Sequence, residues 1–324
     1  MKAAIYSKYG PPETVQLKDI KKPVPKNDEV LIKVYAATVN RTDCGFRSAE
    51  YFIVRFFSGL FKPKNQVLGN EFAGKIEAVG ADVVNFKVGD SVFGYNDETF
   101  GAHAEFMSMP ANKAIAIKPE DMLYDTAAAI TAGAHYALCD LRAAKIKEGH
   151  KILINGATGG IGSAAVQLSR YYGATVTAVC ATAHIEKVKA LGANIVIDYE
   201  KEDFVKLTEK FDIVFDAVGK SSFGKCKPIL KKQGVYMSTE LGYGSQNVFL
   251  ALLTPFFGGK KVLFPLPTID KKDLEFFKKL ILSKQYQPLI DRCFTLNEIV
   301  EAHRYVETGQ KIGNVIIKIA SDKL

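Results

Sequence analysis

Residues 151–172 restrict what this chain can fold into more than any other stretch. An apolar segment, Lys151-Ile152-Leu153-Ile154-Asn155, runs into Gly156-Ala157-Thr158-Gly159-Gly160-Ile161-Gly162, and residues 163–172 carry the apolar spacing of an amphipathic helix. Strand, glycine turn and helix in succession are the opening of a mononucleotide-binding unit. Glycine lets the backbone turn sharply and approach a pyrophosphate, while free N–H groups at the helix start offset the phosphate charge. A glycine turn alone also serves as a tight strand-to-helix connection, so the flanking sequence decides. An Ala-rich helix is expected over residues 126–144, and further strands over 175–180, 194–197, 211–216, 234–238 and 262–265, spaced by helical or loop segments. Such alternation predicts a doubly wound parallel sheet of the Rossmann type, and assigns Ala157, Thr158, Gly159, Gly160, Ile161 and Gly162 to dinucleotide binding.

The rest of the chain has a different texture. Residues 1–118 are β-rich, with short alternating segments such as Val30-Leu31-Ile32-Lys33-Val34 broken by Gly, Pro and Asn-Asp, which suggests a small barrel-like domain. A helix over 270–284 and a strand over 314–318 close the chain. A length of 324 residues suits two domains, and 48% hydrophobic against 24% charged residues excludes disorder. No apolar run approaches the roughly 18 residues of a membrane span, and the first residues hold no apolar core of a secretory signal, so a cytoplasmic chain starting at Met1 is expected. Five cysteines, no two closer than 41 residues, form neither a disulfide framework nor a zinc knuckle. The net charge of +8 is spread over scattered Lys, as in Asp270-Lys271-Lys272-Asp273, and is read as a solvated surface with no nucleic-acid partner expected.

The choice of dinucleotide falls at the end of the second strand of the sheet, where an acidic side chain would bond the ribose hydroxyls of NAD. This chain reads Cys180-Ala181-Thr182-Ala183-His184 there, with no carboxylate to repel a 2′-phosphate. Thr182, His184 and Lys187 can each donate a hydrogen bond, and Tyr199 follows the third strand. NADPH is therefore expected over NADH.

Further motifs carry a family resemblance over nearly the whole chain. They are Ala36-Ala37-Thr38-Val39-Asn40-Arg41-Thr42-Asp43, Leu68-Gly69-Asn70-Glu71-Phe72-Ala73-Gly74 with Val79-Gly80, Val88-Gly89-Asp90, and the glycine turn continuing as Ala165-Val166-Gln167-Leu168. The sequence resembles the medium-chain dehydrogenase/reductase superfamily in its zinc-independent quinone oxidoreductase branch. That resemblance implies an α/β fold with a GroES-like β-barrel catalytic domain (residues 1–119 and 269–324) and a Rossmann domain (residues 120–268). It also implies dinucleotide contacts at Asn40, Thr131, Ala217, Val218, Thr239 and Asn314. Tyr51 falls at the position of a cleft tyrosine eleven residues after the Asn, while an earlier tyrosine of some relatives is Gly45 here. Relatives carry a Thr close to the nicotinamide; an ungapped count back from Lys147-Glu148-Gly149 puts His135 there, and Thr131 lies one turn earlier.

Zinc-dependent relatives place a Cys where this chain has Asn40 and a His where it has Asn70. Carboxamides are poor substitutes for thiolate and imidazole. Residues 90–110 contain no Cys for a structural zinc, and His103 is the one imidazole there. No zinc is expected. Without a Lewis acid nothing polarises an alcohol, so the chemistry suits hydride transfer to acceptors that are already electrophilic, quinones and α,β-unsaturated carbonyls. Asn40, Tyr51 and His135 are the candidate donors to the developing oxyanion.

Eight of the eleven residues 51–61 and eight of the ten residues 248–257 are apolar, which suggests a roomy pocket for lipophilic substrates, or packing and dimer surfaces. The strand over 262–265 comes last in the parallel sheet, at an edge where relatives join two copies, so a homodimer is expected. An alcohol dehydrogenase or carbonyl reductase, and a low-turnover NADPH- and RNA-binding protein of the zeta-crystallin kind, are the alternatives.

Overall fold

A computed structural model describes residues 1–52 and 54–320. The chain divides into two compact units, one comprising Met1–Ala132, Ile269–Leu282 and Pro288–Leu324, the other Gly133–Thr268 with Ser283–Gln287.

The first unit opens with the antiparallel pair β1 (Lys2–Tyr6) and β2 (Val15–Asp19), followed by β3 (Glu29–Val39), α1 (Arg41–Ser48), α2 (Val54–Ser58), β4 (Glu71–Val79), β5 (Ser91–Tyr95), β6 (Phe106–Pro110), β7 (Ile115–Ile117) and α3 (Tyr124–Ala128). The eleven-residue β3 is its backbone. Along one edge it pairs antiparallel with β4, and along the other its first half pairs with β6, leaving its last residues, Ala36–Val39, for a strand from the far end of the chain. Nearly every side chain of β3 is buried, which is why this strand reads as a near-continuous apolar run rather than an alternating one.

The chain then enters α4 (Thr131–Ala143). One helix over residues 126–144 was expected from the alanines; two are found, separated at Ala129 and Ile130. The break has a cause 60 residues away. The buried carboxylate of Glu71 on β4 accepts from the Thr131 hydroxyl and the Ala132 N–H, satisfying the first turn of a new helix where a continuous one would have run through.

The second unit continues with β8 (Lys151–Asn155), α5 (Gly160–Tyr171), β9 (Thr175–Cys180), α6 (Ile185–Ala190), β10 (Ile195–Asp198), β11 (Phe211–Asp216), α7 (Phe223–Cys226), β12 (Leu230–Ser238), α8 (Gln246–Leu253) and β13 (Lys261–Leu263). All six strands are parallel, in the spatial order β10-β9-β8-β11-β12-β13. That is the doubly wound Rossmann order, with its reversal between β8 and β11. Each strand stands within four residues of its expected position. β12 starts earliest relative to expectation, because its first turn, with Lys231, Lys232 and Gln233, is solvent-exposed and carries no apolar signal. Ile152, Leu153 and Ile154 of β8 and Val214 and Phe215 of β11 are fully buried, each worth roughly 1.5–3 kcal/mol of transfer free energy.

The chain returns to the first unit through α9 (Lys271–Leu282), β14 (Ile290–Thr295), α10 (Ile299–Glu307) and β15 (Asn314–Lys318). β15 pairs antiparallel with the free edge of β3 and parallel with β14, completing a seven-stranded sheet. Buried residues of β3, α10 and β15, among them Val34, Ile299, Val306 and Ile317, share one core. Among the described residues no helix is long and apolar enough to cross a membrane.

Candidate active site

The glycine turn ends β8 at the point where the strand order reverses. Gly156 has φ +81°, and a side chain on it would meet Val218 Cγ1 at 2.3 Å; one on Gly162 would meet the Gly156 carbonyl oxygen at 2.1 Å. These two glycines are dictated by internal packing. Gly159, the N-cap of α5, is different: it has φ −69°, and among the described residues beyond its chain neighbours a Cβ there would first meet the Gly156 carbonyl oxygen, at 3.6 Å. Nothing inside the protein demands glycine at 159, which is what a backbone kept bare for a ligand would show. Gly159 offers no capping side chain, so the N–H groups of Gly160, Ile161 and Gly162 at the positive end of the helix remain for an outside acceptor. A dinucleotide pyrophosphate fits this donor set. Ala157 is buried, with its N–H on the Val179 carbonyl, while Thr158 and Ile161 are half-buried.

Two residues unassigned by sequence shape this turn. Gly133 of α4 lies where a Cβ would meet the Gly160 carbonyl oxygen at 2.4 Å, so a larger residue would push α4 off the start of α5. The only sequence signal is a glycine inside an alanine-rich helix. Asp216, wholly buried at the end of β11, accepts from Asn155 Nδ2 at 2.9 Å across the reversal point and from the N–H groups of Val218, Lys220 and Ser221. It fixes the loop that carries Ala217 and Val218, and its own carbonyl accepts from the Thr239 N–H at 3.3 Å.

At the end of β9 the segment Cys180–His184 holds no carboxylate of its own, but the fold brings two acids to it. Strand register sets Cys180 beside Asp198 of β10. The Thr182 hydroxyl donates to Asp198 Oδ2 at 2.5 Å, and the Thr182 N–H donates to Glu200 Oε2 at 3.0 Å. Both acids are held below the usual carboxylate range, chiefly by these bonds from Thr182. The local sequence of β9 contains no acid, but the last residue of β10, Asp198, and the turn after it, with Glu200, supply two. His184 is half-buried, and Lys187 and Tyr199 are exposed.

In the first unit, Asn40 follows directly on β3 and caps α1. Its Oδ1 accepts from the N–H groups of Thr42 at 3.0 Å and Asp43 at 3.2 Å, and Asp43 Oδ2 accepts in return from the Asn40 N–H, a reciprocal capping box. Asn40 Nδ2 donates to Asn70 Oδ1 at 2.7 Å, and Asn70 Nδ2 donates to the Tyr95 hydroxyl at 3.3 Å. The two positions read as metal ligands in zinc-dependent relatives are thus brought together, as two carboxamides bonded to each other. Neutral amides offer no thiolate or imidazole to a zinc ion, and the residues present do not fit one. His103 Nε2 contacts the Thr38 carbonyl at 2.8 Å, and burial pushes the imidazole down to about 4, which keeps it neutral.

Glu71 is the functional-site neighbour that sequence reading left without a role. Wholly buried, it accepts the Thr38 hydroxyl at 2.5 Å and the Thr131 hydroxyl at 2.8 Å besides the Ala132 N–H. Burial raises its pKa, and the three donors oppose that shift. Thr131 therefore spends its proton on Glu71. His135, one turn on, is 1% exposed, its ring centroid 4.6 Å from that of Tyr136. Asn314 donates through Nδ2 to the carbonyls of Leu289 at 3.0 Å and Ala129 at 3.3 Å. Tyr51 lies on the surface between α1 and α2, in the same stretch of chain as exposed Phe52, Phe56, Phe57 and Phe61; Ile53, part of the same apolar run, falls outside the described residues.

Comparison with known proteins agrees with this architecture. Residues 26–119 match the family model for an alcohol dehydrogenase GroES-like domain, and residues 191–317 that for a zinc-binding dehydrogenase. The chain is 32% identical to 2-methylene-furan-3-one reductase of Solanum lycopersicum and 31% identical to the NADPH-dependent alkenal/one oxidoreductase, chloroplastic, of Arabidopsis thaliana. Each match spans 98% of this chain and 79% of the relative. The quinone oxidoreductase from Coxiella burnetii superposes with a TM-score of 0.87 at 29% identity, over 99% of both chains.

Proposed function

Since this chain belongs to the zinc-independent quinone oxidoreductase branch of the medium-chain dehydrogenase/reductase superfamily, we propose that it transfers a hydride from NADPH, without metal, to a quinone or an α,β-unsaturated carbonyl. One observation carries the reading: Asn40 and Asn70 stand at the metal-ligand positions and bond to each other. Hydride transfer to an acceptor that is already electrophilic needs only hydrogen-bond donors where oxyanion charge develops.

A reduced nicotinamide supplies the hydride when bound. The chain's own contribution begins with the turn at 156–162, whose bare N–H groups would hold the pyrophosphate. The capping box and Asn70 orient the Asn40 amide, which has a second N–H to offer to a ribose or substrate oxygen. The Tyr51 phenol is the further donor in this proposal, and the exposed apolar side chains beside it favour lipophilic acceptors. The names printed for the relatives, an alkenal/one oxidoreductase and a quinone oxidoreductase, support the same substrate class. Five free cysteines fit a reducing compartment such as the cytoplasm, and the edge position of β13 supports a homodimer.

The test is oxidation of NADPH, followed by its absorbance, with a quinone, an enone and an aldehyde, each with and without a zinc chelator, alongside oxidation of a primary alcohol by NADP. Turnover of quinone or enone that is indifferent to chelator is expected. Zinc-dependent alcohol oxidation would overturn the proposal.

A further inference from the structure

The end of β9 presents an unusual hydroxyl. Thr182 donates its side-chain proton to Asp198 Oδ2, so toward a ligand its oxygen acts as an acceptor. A ribose 2′-hydroxyl has a proton to give to such an oxygen; a 2′-phosphate, ionised at neutral pH, does not. The electrostatics act in the same direction. Asp198 is 9% exposed, and its Oδ1 accepts from the Glu200 N–H at 3.0 Å, which places the two acids at one turn. A phosphate dianion arriving beside Thr182 meets both carboxylates.

Opposing cations are present but loosely held. Lys201 Nζ lies 3.2 Å from Asp198 Oδ2 on a side chain that is 69% exposed, Lys187 is exposed on α6, and His184 is half-buried in the turn between β9 and α6. Exposed ammonium groups are strongly screened, whereas a nearly buried carboxylate acts at short range. The position of the group follows from the strand order: β8, β9 and β10 are neighbours, so the glycine turn after β8 and the acids after β10 flank the end of β9, where the adenosine ribose of a doubly wound fold lies.

Resting on the dinucleotide reading above, we propose that Asp198, acting through Thr182, sets the dinucleotide preference of this chain and keeps NADH a competent hydride donor beside NADPH. Asp198 is a specificity-determining residue here; it makes no contact with the reacting atoms.

Initial rates with one saturating enone give kcat/KM for NADPH and for NADH in the wild type, in Asp198→Asn and in Glu200→Gln. The wild-type ratio should lie within about tenfold of one, and Asp198→Asn should raise it toward NADPH by about tenfold, the equivalent of one like-charge contact removed. The gain should appear in a lower KM for NADPH rather than in kcat. Glu200→Gln, an exposed substitution that leaves the fold intact, should move the ratio the same way by less. A wild-type preference for NADPH above about a thousandfold overturns the proposal, as does an unchanged ratio in a folded Asp198→Asn or, should that variant fail to fold, in Glu200→Gln. If neither dinucleotide binds in titration calorimetry, the parent reading falls as well, an outcome distinct from turnover with an immovable ratio.

Discussion

The hydroxyl of Thr131 donates to Oε1 of Glu71 at 2.8 Å, and with it the first turn of α4 is tied to the middle of a seven-stranded sheet. The carboxylate holds three donors, and no water is needed to complete the arrangement. Replacement by an isosteric amide keeps the volume but turns one acceptor oxygen into a donor facing other donors. Glu71→Gln should lower the unfolding free energy by about 1–3 kcal/mol, read as a lower urea midpoint at unchanged slope. A midpoint equal to that of the wild type would contradict the role given to Glu71.

The two kinds of glycine in the turn should separate under substitution. In Gly162→Ala the new methyl lies 2.1 Å from a backbone oxygen, and the helix must shift, at a cost of about 1–3 kcal/mol or more. In Gly159→Ala the nearest atom is 3.6 Å away, so the melting temperature should stay near that of the wild type while dinucleotide affinity falls about tenfold or more. Thermal melting with and without NADPH reads both, and equal behaviour of the two variants would refute the distinction.

Asp140, on α4, is 5% exposed, and burial alone pushes its carboxyl up to about 8. In the unfolded chain the same group releases its proton near 4. Between those values the fold retains a proton that the unfolded chain has lost, so this residue drains stability as pH rises from about 4 to about 8 and then levels off. Asp140→Asn removes that slope. It should match the wild type at about pH 4 and exceed it by several kcal/mol at about pH 8, at about 1.4 kcal/mol per unit of pKa difference. Urea unfolding across that range measures the gap, and a gap independent of pH would falsify the assignment.

Asn40 serves as helix cap and as partner of a buried amide at once. Asn40→Ala should therefore cost about 0.5–2 kcal/mol for the cap and leave the Asn70 carbonyl without its donor. Asn40→Asp keeps the cap acceptor but loses the N–H toward Asn70 and toward substrate. Comparable stability with kcat/KM reduced about a hundredfold in Asn40→Asp would mark a donor role in the reaction. Unchanged turnover in that variant would confine Asn40 to holding the fold.

The parallel sheet was legible because its strands are short apolar runs buried on both faces and bounded by glycine or charge, as in Lys151–Asn155 and Phe211–Asp216. What could not be read is whatever depends on a partner distant in sequence. Nothing near residue 130 announces that Glu71 will end one helix and start another, and nothing near Thr182 announces Asp198 and Glu200. Asp216 closes an apolar strand with a single acid, a signal visible beforehand yet silent about the five donors it collects. Asn40 and Asn70, by contrast, could each be set at a metal-ligand position of zinc-dependent relatives by the motifs around them, although their bond to each other could not be read.

The division of β3 between its partners bears on how the molecule can be assembled. On the edge away from β4, Ala36–Val39 are paired by β15, so that edge of β3 stays open until the far end of the chain arrives. The parallel sheet of the other unit draws its six strands from the continuous stretch 151–263 and has no such dependence. Closing so long a loop is entropically costly and slow. A nascent or clipped chain would thus present a finished parallel sheet joined to a half with an uncapped strand, a template for unwanted pairing with its neighbours.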